Sequence, residues 1–273
     1  MPGAVHAPYD IRPCRGIEEL EHCVRLQKQI WGYAEGEVYP LRLFVNLTHI
    51  GGQVIGAFTP GADGPHRSRG AFRLEDRPGE MVGFVAAMPA WRDGKRYLHS
   101  LSLGVVPGHE NQGLGRRLKL EQRKLALAAG IRWIEWTFDP LRAKNAFFNI
   151  ARLGAISRRY QPDYYGCVRS RLQQGLPSDR LVCEWWLRSA RVRFMIASGT
   201  ASRRPGRKVQ PAVEITIPAD FGSLARHEPE RARRLQRSVR RKFEQCFRRG
   251  LAVTGFERDD KIGRYLLEPF HEN

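Results

Sequence analysis

The sequence predicts an α/β (α+β) fold, and three observations lead to that prediction. Apolar residues recur at helical spacing in some segments and form short runs in others, with glycines between the segments. A polar turn at Asp93-Gly94 joins two apolar runs, which is typical of an antiparallel hairpin. Strand and helix patterns then alternate along residues 101–160. A chain of 273 residues with 42% hydrophobic residues can bury the core that such a fold needs.

The first half of the chain is predicted to contain two helices and four strands. The helices cover residues 17–31, which Gly32 ends, and residues 41–50. The strands cover residues 9–12, 53–58, 81–88 and 96–106, and a long loop rich in Gly, Pro, Arg and Asp occupies residues 60–80.

The second half continues the pattern and ends in a smaller unit. A helix follows Gly115 and stops at Gly130, and a strand is predicted at 131–138, a helix at 143–153, and strands near 156–160 and 181–187. Residues 188–211 look like a basic, flexible crossing. A strand at 213–217, a long helix from Pro229 and a terminal hairpin at 251–267 follow. We therefore divide the chain into a main domain (1–190), a basic linker (191–211) and a C-terminal α/β extension (212–273).

The net charge of +18 raises the question of a nucleic-acid partner. Only eight of the 46 basic residues are lysines, so a general preference for arginine accounts for much of the charge without implying a partner. The densest cluster lies on the long C-terminal helix, at Arg231, Arg233, Arg234, Arg237, Arg240, Arg241 and Lys242. No aromatic residues suited to base stacking alternate with them. A solvated helix face, a dimerising or lid element and a nucleic-acid interface all remain open.

Several classes of protein are disfavoured by absent patterns. The five cysteines are scattered and form no C-x-x-C pair, so we expect reduced, buried thiols, Cys167 and Cys183 among them, and no metal site. No apolar stretch is long enough to span a bilayer, and the first residues do not resemble a secretory signal. We expect a cytoplasmic protein with no membrane association.

The segment around Gly113 and Gly115 carries the most specific chemical signal. Two glycines separated by one residue follow a predicted strand and open a predicted helix, so the chain can fold closely around an anion that meets the free amides of the helix. Arg116 and Arg117 lie in the first helical turn, where acidic residues are usual, and a bound anion would explain them. The alternative is a tight turn with incidental arginines.

Two well-known phosphate loops do not fit this segment. A P-loop needs a Gly-Lys-Ser or Gly-Lys-Thr sequence, which does not occur. A dinucleotide-binding turn needs a third glycine at the position of Leu118.

The order of elements and the Gly113-x-Gly115 turn resemble the GNAT acyltransferase superfamily over roughly residues 8–190. That family has Arg or Gln three residues before the first glycine, where this chain has Glu110. The resemblance implies a mixed, mostly antiparallel central sheet flanked by helices. It also implies acetyl-CoA or another acyl-CoA as co-substrate, with the coenzyme pyrophosphate on backbone amides after the strand. Carried over by position, the coenzyme-binding residues are Val105, Val106, Gln112, Gly113, Leu114, Gly115, Arg116 and Asn145.

Residues 136–155, the Tyr164-Tyr165-Gly166 run and the C-terminal extension together resemble one bacterial branch of that superfamily. Relatives of this branch are associated with amino-acid N-acylation. The resemblance therefore implies a small-molecule amine as acceptor, an amino acid among the choices, and succinyl as well as acetyl among the donors.

Direct transfer from a thioester to an amine needs a base, an oxyanion site and an acid for the thiolate. His99 and Glu135 are the candidate bases, each with a structural alternative as a hydrogen-bonded or ion-paired core residue. The tyrosine that serves as acid in many members is replaced here by Ile150. Tyr165 is our first choice to replace it, with Tyr160 and Tyr164 as alternatives.

Two further side chains are predicted to bind substrate. Arg142 could clamp a carboxylate of donor or acceptor, and Asn149 lies on the same predicted helix. The departures at Glu110 and Ile150 also leave open a non-catalytic acyl-CoA sensor, and a homodimer is left open as well.

Overall fold

The computed structural model describes residues 9–60, 79–166, 175–198 and 211–270. Their chain forms two compact units, residues 1–131 and 132–273. The predicted α/β fold with a mostly antiparallel sheet flanked by helices is confirmed.

In the first unit, residues 9–60 and 79–131 form a four-stranded antiparallel sheet with three longer helices. Its strands are β1 (Asp10–Pro13), β2 (Gln53–Phe58), β3 (Met81–Arg92) and β4 (Lys95–Val105), in that order across the sheet. Its helices are α1 (Gly16–Trp31), α2 (Leu41–His49) and α3 (Leu114–Ala128), with one 3₁₀ turn at Glu35–Glu37. The predicted elements of this half are therefore confirmed, while most of the predicted 60–80 loop lies outside the described residues.

The sheet of the first unit buries both faces because its side chains alternate. Phe84 and Ala86 pack with α1 and α2, whereas Val85 packs with Leu114 and Leu118 of α3. The β3–β4 hairpin turns at Asp93-Gly94, both in the left-handed region, as the sequence predicts. Residues 106–113 then connect the end of β4 to the start of α3.

The described part of the second unit forms six strands and four helical segments. The strands are β5 (Trp133–Phe138), β6 (Ile156–Gln161), β7 (Arg180–Trp186), β8 (Val213–Pro218), β9 (Leu251–Arg258) and β10 (Ile262–Pro269), in the order β5-β7-β6-β9-β10-β8. Neighbouring strands in this unit pair antiparallel. The helices are α4 (Ala143–Ala146) with a π-helical continuation (Phe147–Arg152), α5 (Ala190–Ser198), α6 (Phe221–His227) and α7 (Pro229–Arg248).

Three features of this unit differ from the sequence predictions. Residues 190–198 form α5 rather than a flexible crossing, because Val192 and Met195 are buried one helical turn apart. The short helix α6 was not predicted, although Asp220 caps it by accepting a hydrogen bond from Ser223 N at 2.9 Å. The predicted helix 143–153 ends at Gly154 as expected, but its second half is a π-helix.

The C-terminal extension does not form a separate compact unit. Ser157 of β6 pairs with Val253 of β9, so the strands of the extension continue the sheet that begins with β5. The Tyr265 hydroxyl, buried on β10, donates to Pro140 O at 2.7 Å. The compact units therefore divide near residue 131, whereas the sequence composition marks a crossing at 191–211, of which 199–210 lies outside the described residues.

An ion pair joins β1 to the first turn of α1 and gives a testable pH dependence. Arg12 donates to both Glu19 carboxylate oxygens at 2.8 Å, and Arg15 N donates to the same carboxylate at 2.6 Å. The hydrogen bonds from Arg12, with that from the backbone of Arg15, lower the pKa of Glu19. The folded state is therefore stabilised above the unfolded pKa of Glu19, and that stabilisation is lost as pH falls through the lower folded pKa.

Glu19→Gln is expected to reduce the free energy of unfolding at pH 7 by about 1 kcal/mol. The difference from wild type should shrink below about pH 4, because the Glu19 carboxylate of the unfolded state is protonated there and favours unfolding. Urea unfolding at pH 7 and pH 3.5 measures both values. Glu18→Gln is the matched control, since Glu18 is exposed in the same helical turn. Equal effects of the two substitutions at pH 7 would contradict the assignment.

Candidate active site

The turn between β4 and α3 exposes a helix N-terminus that no side chain caps. Gly113 is the N-cap, with φ +77°, and no acidic residue lies in the first turn of α3. The first intrahelical hydrogen bond is from Arg117 N to Gly113 O at 3.0 Å, so the amides of residues 114–116 precede it. Gly108 and Asn111 also have positive φ, at +98° and +61°. A run of left-handed residues before an uncapped helix forms a concave set of amides that suits an anion.

A buried hydrogen-bond network holds this turn in place, and the sequence did not reveal it. The Tyr9 hydroxyl lies 2.7 Å from His109 Nδ1 and donates to Gln112 Oε1 at 3.1 Å. Gln112 Nε2 in turn donates to Gly108 O at 3.2 Å, which closes the turn on itself. Tyr9, about a hundred residues earlier in the sequence, thereby helps to fix the backbone that precedes α3.

The two arginines of the first helical turn have different surroundings. Arg117 donates to Tyr9 O at 2.8 Å, so it ties α3 to the residue before β1. Arg116 is partly buried in the same turn and keeps a positive charge close to the helix start. Glu110, at the position where the resemblance expects Arg or Gln, is exposed on the turn.

The end of β4 only partly supports the predicted backbone contacts to a thioester. Val106 N donates to Val82 O and Val106 O accepts from His109 N, at 2.9 and 3.1 Å. The Val106 amide is thus used within the unit, which argues against it as an oxyanion donor. Val105 is the last residue of β4 and lies opposite Gly83. His99 is partly buried on β4 opposite Met88, and its role as a base stays a prediction.

In the second unit, the phenol of Tyr165 lies next to the end of β5. The side chain is exposed, and its hydroxyl lies 3.1 Å from Thr137 Oγ1, on the penultimate residue of that strand. The Arg180 guanidinium lies 5.2 Å from the centre of the Tyr165 ring, and Tyr164 packs against it edge to face at 4.7 Å. The hydroxyl is therefore held beside Thr137 at the end of β5, on a side chain that a ligand could reach.

The other two tyrosines differ from Tyr165 in their contacts. The Tyr160 hydroxyl donates to Asp179 Oδ2 at 2.6 Å. Burial, together with this hydrogen bond, raises the pKa of Tyr160. Its proton is held by Asp179, which argues against Tyr160 as the acid, while Tyr164 is exposed beside Tyr165.

Glu135 lies in a buried ion-pair cluster rather than in an open pocket. Its carboxylate accepts from Arg159 at 2.6 Å, and its cross-strand partner on β7 is Glu184. Glu184 accepts from Arg158 at 2.7 Å and lies 3.7 Å from Arg159. Opposed buried carboxylates need such cations, so the geometry favours the ion-paired alternative for Glu135. Its role as a base stays a prediction that this geometry does not support.

The loop after β5 and the helix that follows carry the predicted Arg142, Asn145 and Asn149. Arg142 lies 3.5 Å from Asp139 and close to Gly222 of α6. Burial raises the pKa of Asp139, although its bond from Leu141 N and the charges of Arg180 and Arg142 oppose the shift. The structure thus brings two arginines toward this carboxylate at the end of β5.

The two asparagines have opposite environments. Asn149 is buried on the π-helical turn and accepts from Trp136 Nε1 at 3.3 Å, so this side chain holds the helix to β5. Asn145 is exposed on α4, where a ligand could reach it.

The arginines of α7 serve several purposes. Arg231 and Arg233 pair with Glu228 and Glu230, whereas Arg240 makes two bonds to the buried Asp179. The remaining basic residues of the predicted cluster, Arg234, Arg237, Arg241 and Lys242, are exposed.

Among the residues that the structure describes, no helix combines the length and the apolar character needed to cross a membrane. Within the same ranges, no three His, Cys, Asp or Glu side chains are grouped so that they could hold a metal ion.

Solved structures similar to this chain include several acyltransferases, each with low identity. Arabidopsis thaliana NAA60 in complex with a bisubstrate analogue is 18% identical, with 65% of this chain and 97% of that chain covered and a TM-score of 0.47. The ribosomal-protein-S18-alanine N-acetyltransferase of Escherichia coli is 13% identical, with 67% of this chain and 96% of that chain covered and a TM-score of 0.44. FeeM, an N-acyl amino acid synthase from uncultured soil microbes, is 12% identical, with 66% of this chain and 91% of that chain covered and a TM-score of 0.42.

The sequence comparisons are more decisive. None of the curated proteins matches this chain. Residues 24–154, which include β4, the turn and α3, match the model of the acetyltransferase (GNAT) family. This segment of the chain is therefore a GNAT acetyltransferase domain.

Proposed function

We propose that this protein transfers an acetyl or other short acyl group, succinyl among them, from coenzyme A to a small-molecule amine. The observation that carries the proposal is the uncapped N-terminus of α3, preceded by left-handed residues and lacking acidic residues in its first turn. Amides at such a terminus bind the oxygens of a phosphate, and the helix dipole favours the negative charge. The family match over the same residues supports a coenzyme A pyrophosphate as that anion.

The residues of the turn have separate tasks in this proposal. The amides from Gln112 to Arg116 hold the pyrophosphate, and the Arg116 guanidinium adds positive charge. Gly113 allows the left-handed bend that aims these amides in one direction. Acyl-CoA supplies the activated thioester. Direct transfer then depends mainly on alignment of the amine with that thioester.

In the second unit we propose Tyr165 as the general acid. Its phenol is exposed, lies beside the Thr137 hydroxyl and packs against the Arg180 guanidinium, so it is a positioned proton donor that a substrate could reach. Proton donation to the departing thiolate would make coenzyme A a better leaving group. Arg142 and Asn145 remain proposed contacts for a substrate carboxylate and for the coenzyme, because Arg142 is partly exposed and Asn145 is exposed.

An amino acid is the acceptor that we would examine first. At the end of β5, Arg142 lies 3.5 Å from Asp139, and the charge of Arg180 also acts on this carboxylate. Guanidinium groups bind carboxylates in a bidentate manner, so an acceptor or donor with a free carboxylate suits this end of the strand.

A thermal-shift titration with coenzyme A, acetyl-CoA and succinyl-CoA tests the proposal. A ligand that binds the folded state at 100 times its Kd stabilises that state by about 2.7 kcal/mol, so we expect a clear rise in Tm. Thiol release from the best donor is then measured with each of the twenty amino acids. A Tm unchanged by all three compounds would overturn the proposal. Tight binding without thiol release for any amine would favour the acyl-CoA sensor.

One observation favours a second candidate function. Arg234, Arg237 and Arg241 follow one another at helical spacing on the exposed side of α7, where a polyanion could bind. Retention by heparin that falls steeply with salt, in a protein that coenzyme A does not stabilise, would favour nucleic-acid binding.

A further inference from the structure

Helix α7 of the C-terminal extension is hydrogen-bonded to Asp179, which lies next to the turn that carries Tyr165. Arg240 Nε donates to Asp179 Oδ2 at 2.9 Å, and another guanidinium nitrogen donates to Asp179 Oδ1 at 2.6 Å. The Asp179 side chain is fully buried, and the Tyr160 hydroxyl donates to it as well. Bidentate pairs of this kind fix geometry strongly, and a buried carboxylate deprived of its cation is costly.

Asp179 also forms a hydrogen bond with the turn that precedes Tyr165. Its Oδ1 also accepts from Asp163 N at 3.0 Å, and the Asp163 carboxylate accepts from Ser178 N at 2.9 Å. Asp163 has φ +46°, a conformation that a non-glycine residue adopts at a cost and that its surroundings must maintain. The turn is thus clamped onto residues 178 and 179.

Ser178, the neighbour of Asp179, binds the backbone of both tyrosines directly. Tyr164 N donates to Ser178 O at 3.0 Å, and Tyr165 N donates to Ser178 Oγ at 2.8 Å. The phenol of Tyr165 then meets Thr137 of β5 at 3.1 Å. The position of this phenol therefore depends on a continuous series of hydrogen bonds that begins at Arg240.

Two neighbours of Arg240 on α7 act on the same segment. Gln236 donates to Pro177 O at 2.8 Å, and Phe243 stacks with Tyr160 at 5.7 Å between ring centres. Positions 236, 240 and 243 lie on one face of a helix, so α7 presents a single surface to Tyr160, Pro177 and Asp179. That surface explains why Gln236 and Arg240 are held at partly or fully buried positions on an otherwise arginine-rich, exposed helix.

We propose that α7 is a positioning element of the acyltransferase and that Arg240 is a positioning residue for Tyr165. This inference rests on the proposed function, because it assumes that Tyr165 acts in the transfer. It gives the C-terminal extension a catalytic purpose that differs from binding of a polyanion. It also divides the arginines of α7 into one that acts through Asp179 and others that lie in solvent.

The test compares Arg240→Gln with Arg241→Gln in the full-length protein. Both substitutions remove one positive charge from α7, but Arg241 is exposed. Hydrogen exchange of the Tyr164 and Tyr165 amides, followed by NMR, reports on the clamp. We expect at least tenfold faster exchange in Arg240→Gln. A tenfold change corresponds to a decrease of about 1.4 kcal/mol in the free energy of local opening. We expect no change in Arg241→Gln, nor in the α3 amides of either variant. Unchanged exchange at both tyrosines in Arg240→Gln would overturn the inference.

Kinetics show whether the clamp serves catalysis. The probe is thiol release from acetyl-CoA with the best amino-acid acceptor, or with water when none is found. We expect Arg240→Gln to lower kcat about 10- to 100-fold with the KM for acetyl-CoA unchanged, and Arg240→Lys to restore part of the loss. Combined with Tyr165→Phe, it should cause no further loss, because both changes act through one phenol. Fully additive losses would overturn the inference.

Failure of this inference can be distinguished from misfolding and from failure of the proposed function. If Arg240→Gln does not fold, the Asp179→Asn/Arg240→Gln double variant, which lacks the unpaired buried charge, is used instead in both measurements. A wild-type protein that neither binds acetyl-CoA nor releases thiol would refute the proposed function. The exchange data would still decide whether Arg240 holds Tyr165, since they require no ligand.

Discussion

Replacement of Gly113 with glutamate is expected to reduce the affinity for coenzyme A by at least about 100-fold, or about 2.8 kcal/mol. The new carboxylate would lie at the positive end of α3, where it competes with the pyrophosphate for the helix amides. Its side chain would also place bulk against the pyrophosphate that the turn is proposed to bind. Isothermal titration with coenzyme A measures the affinity.

Gly113→Ala is the matched control for this substitution. Gly113 has φ +77°, so any residue with a Cβ pays a backbone cost of about 1–2 kcal/mol there. Both variants share that cost and should show similar losses of Tm, but only glutamate adds charge and bulk. A folded Gly113→Glu protein that binds coenzyme A as tightly as Gly113→Ala would refute the assignment of the pyrophosphate to this turn.

Tyr165→Phe is expected to lower kcat for acyl transfer by about 10²- to 10⁴-fold while leaving coenzyme A binding unchanged. The substitution removes only the hydroxyl that lies near Thr137 and keeps the ring against Tyr164 and Arg180. Initial rates of thiol release from acetyl-CoA give kcat, and isothermal titration with coenzyme A gives the binding affinity.

The adjacent Tyr164→Phe provides the control for Tyr165→Phe. Tyr164 is similarly exposed and lies in the same turn. We expect its removal to change kcat by less than a factor of about three, within the range of ordinary surface substitutions. A greater loss in Tyr164→Phe than in Tyr165→Phe would transfer the role of acid to Tyr164.

The elements of the first unit could be predicted from the sequence because each has a local cause. Gly32 ends α1 in the left-handed conformation, and Asp93-Gly94 forms the hairpin turn between β3 and β4. The Gly113-x-Gly115 turn was likewise visible, since a glycine with positive φ before a helix depends on neighbouring residues alone. The family follows from the same segment, which the family model matches.

The side-chain partners of the candidate site could not be predicted, because they come from distant parts of the chain. Tyr9 meets His109 and Gln112 across about a hundred residues, and Arg240 meets Asp179 across 61. The ion pair of Glu135 with Arg159 depends on the registers of β5, β7 and β6, and a bulge in β6 lies between Ser157 and Arg159. No local pattern contains this information, since strand pairing is fixed only when the sheet forms.

The sequence by itself determined the local elements, the glycine turn and the kind of ligand that a helix terminus with basic residues attracts. Backbone conformation, helix capping and helix charge act within a few residues, so the sequence contains their causes directly. Only the tertiary structure decided that Glu135 is ion-paired, that Tyr160 is held by Asp179, and that the extension continues the sheet from β5. Those outcomes depend on burial and on contacts between distant residues, which arise when the packed sheet and helices exclude water.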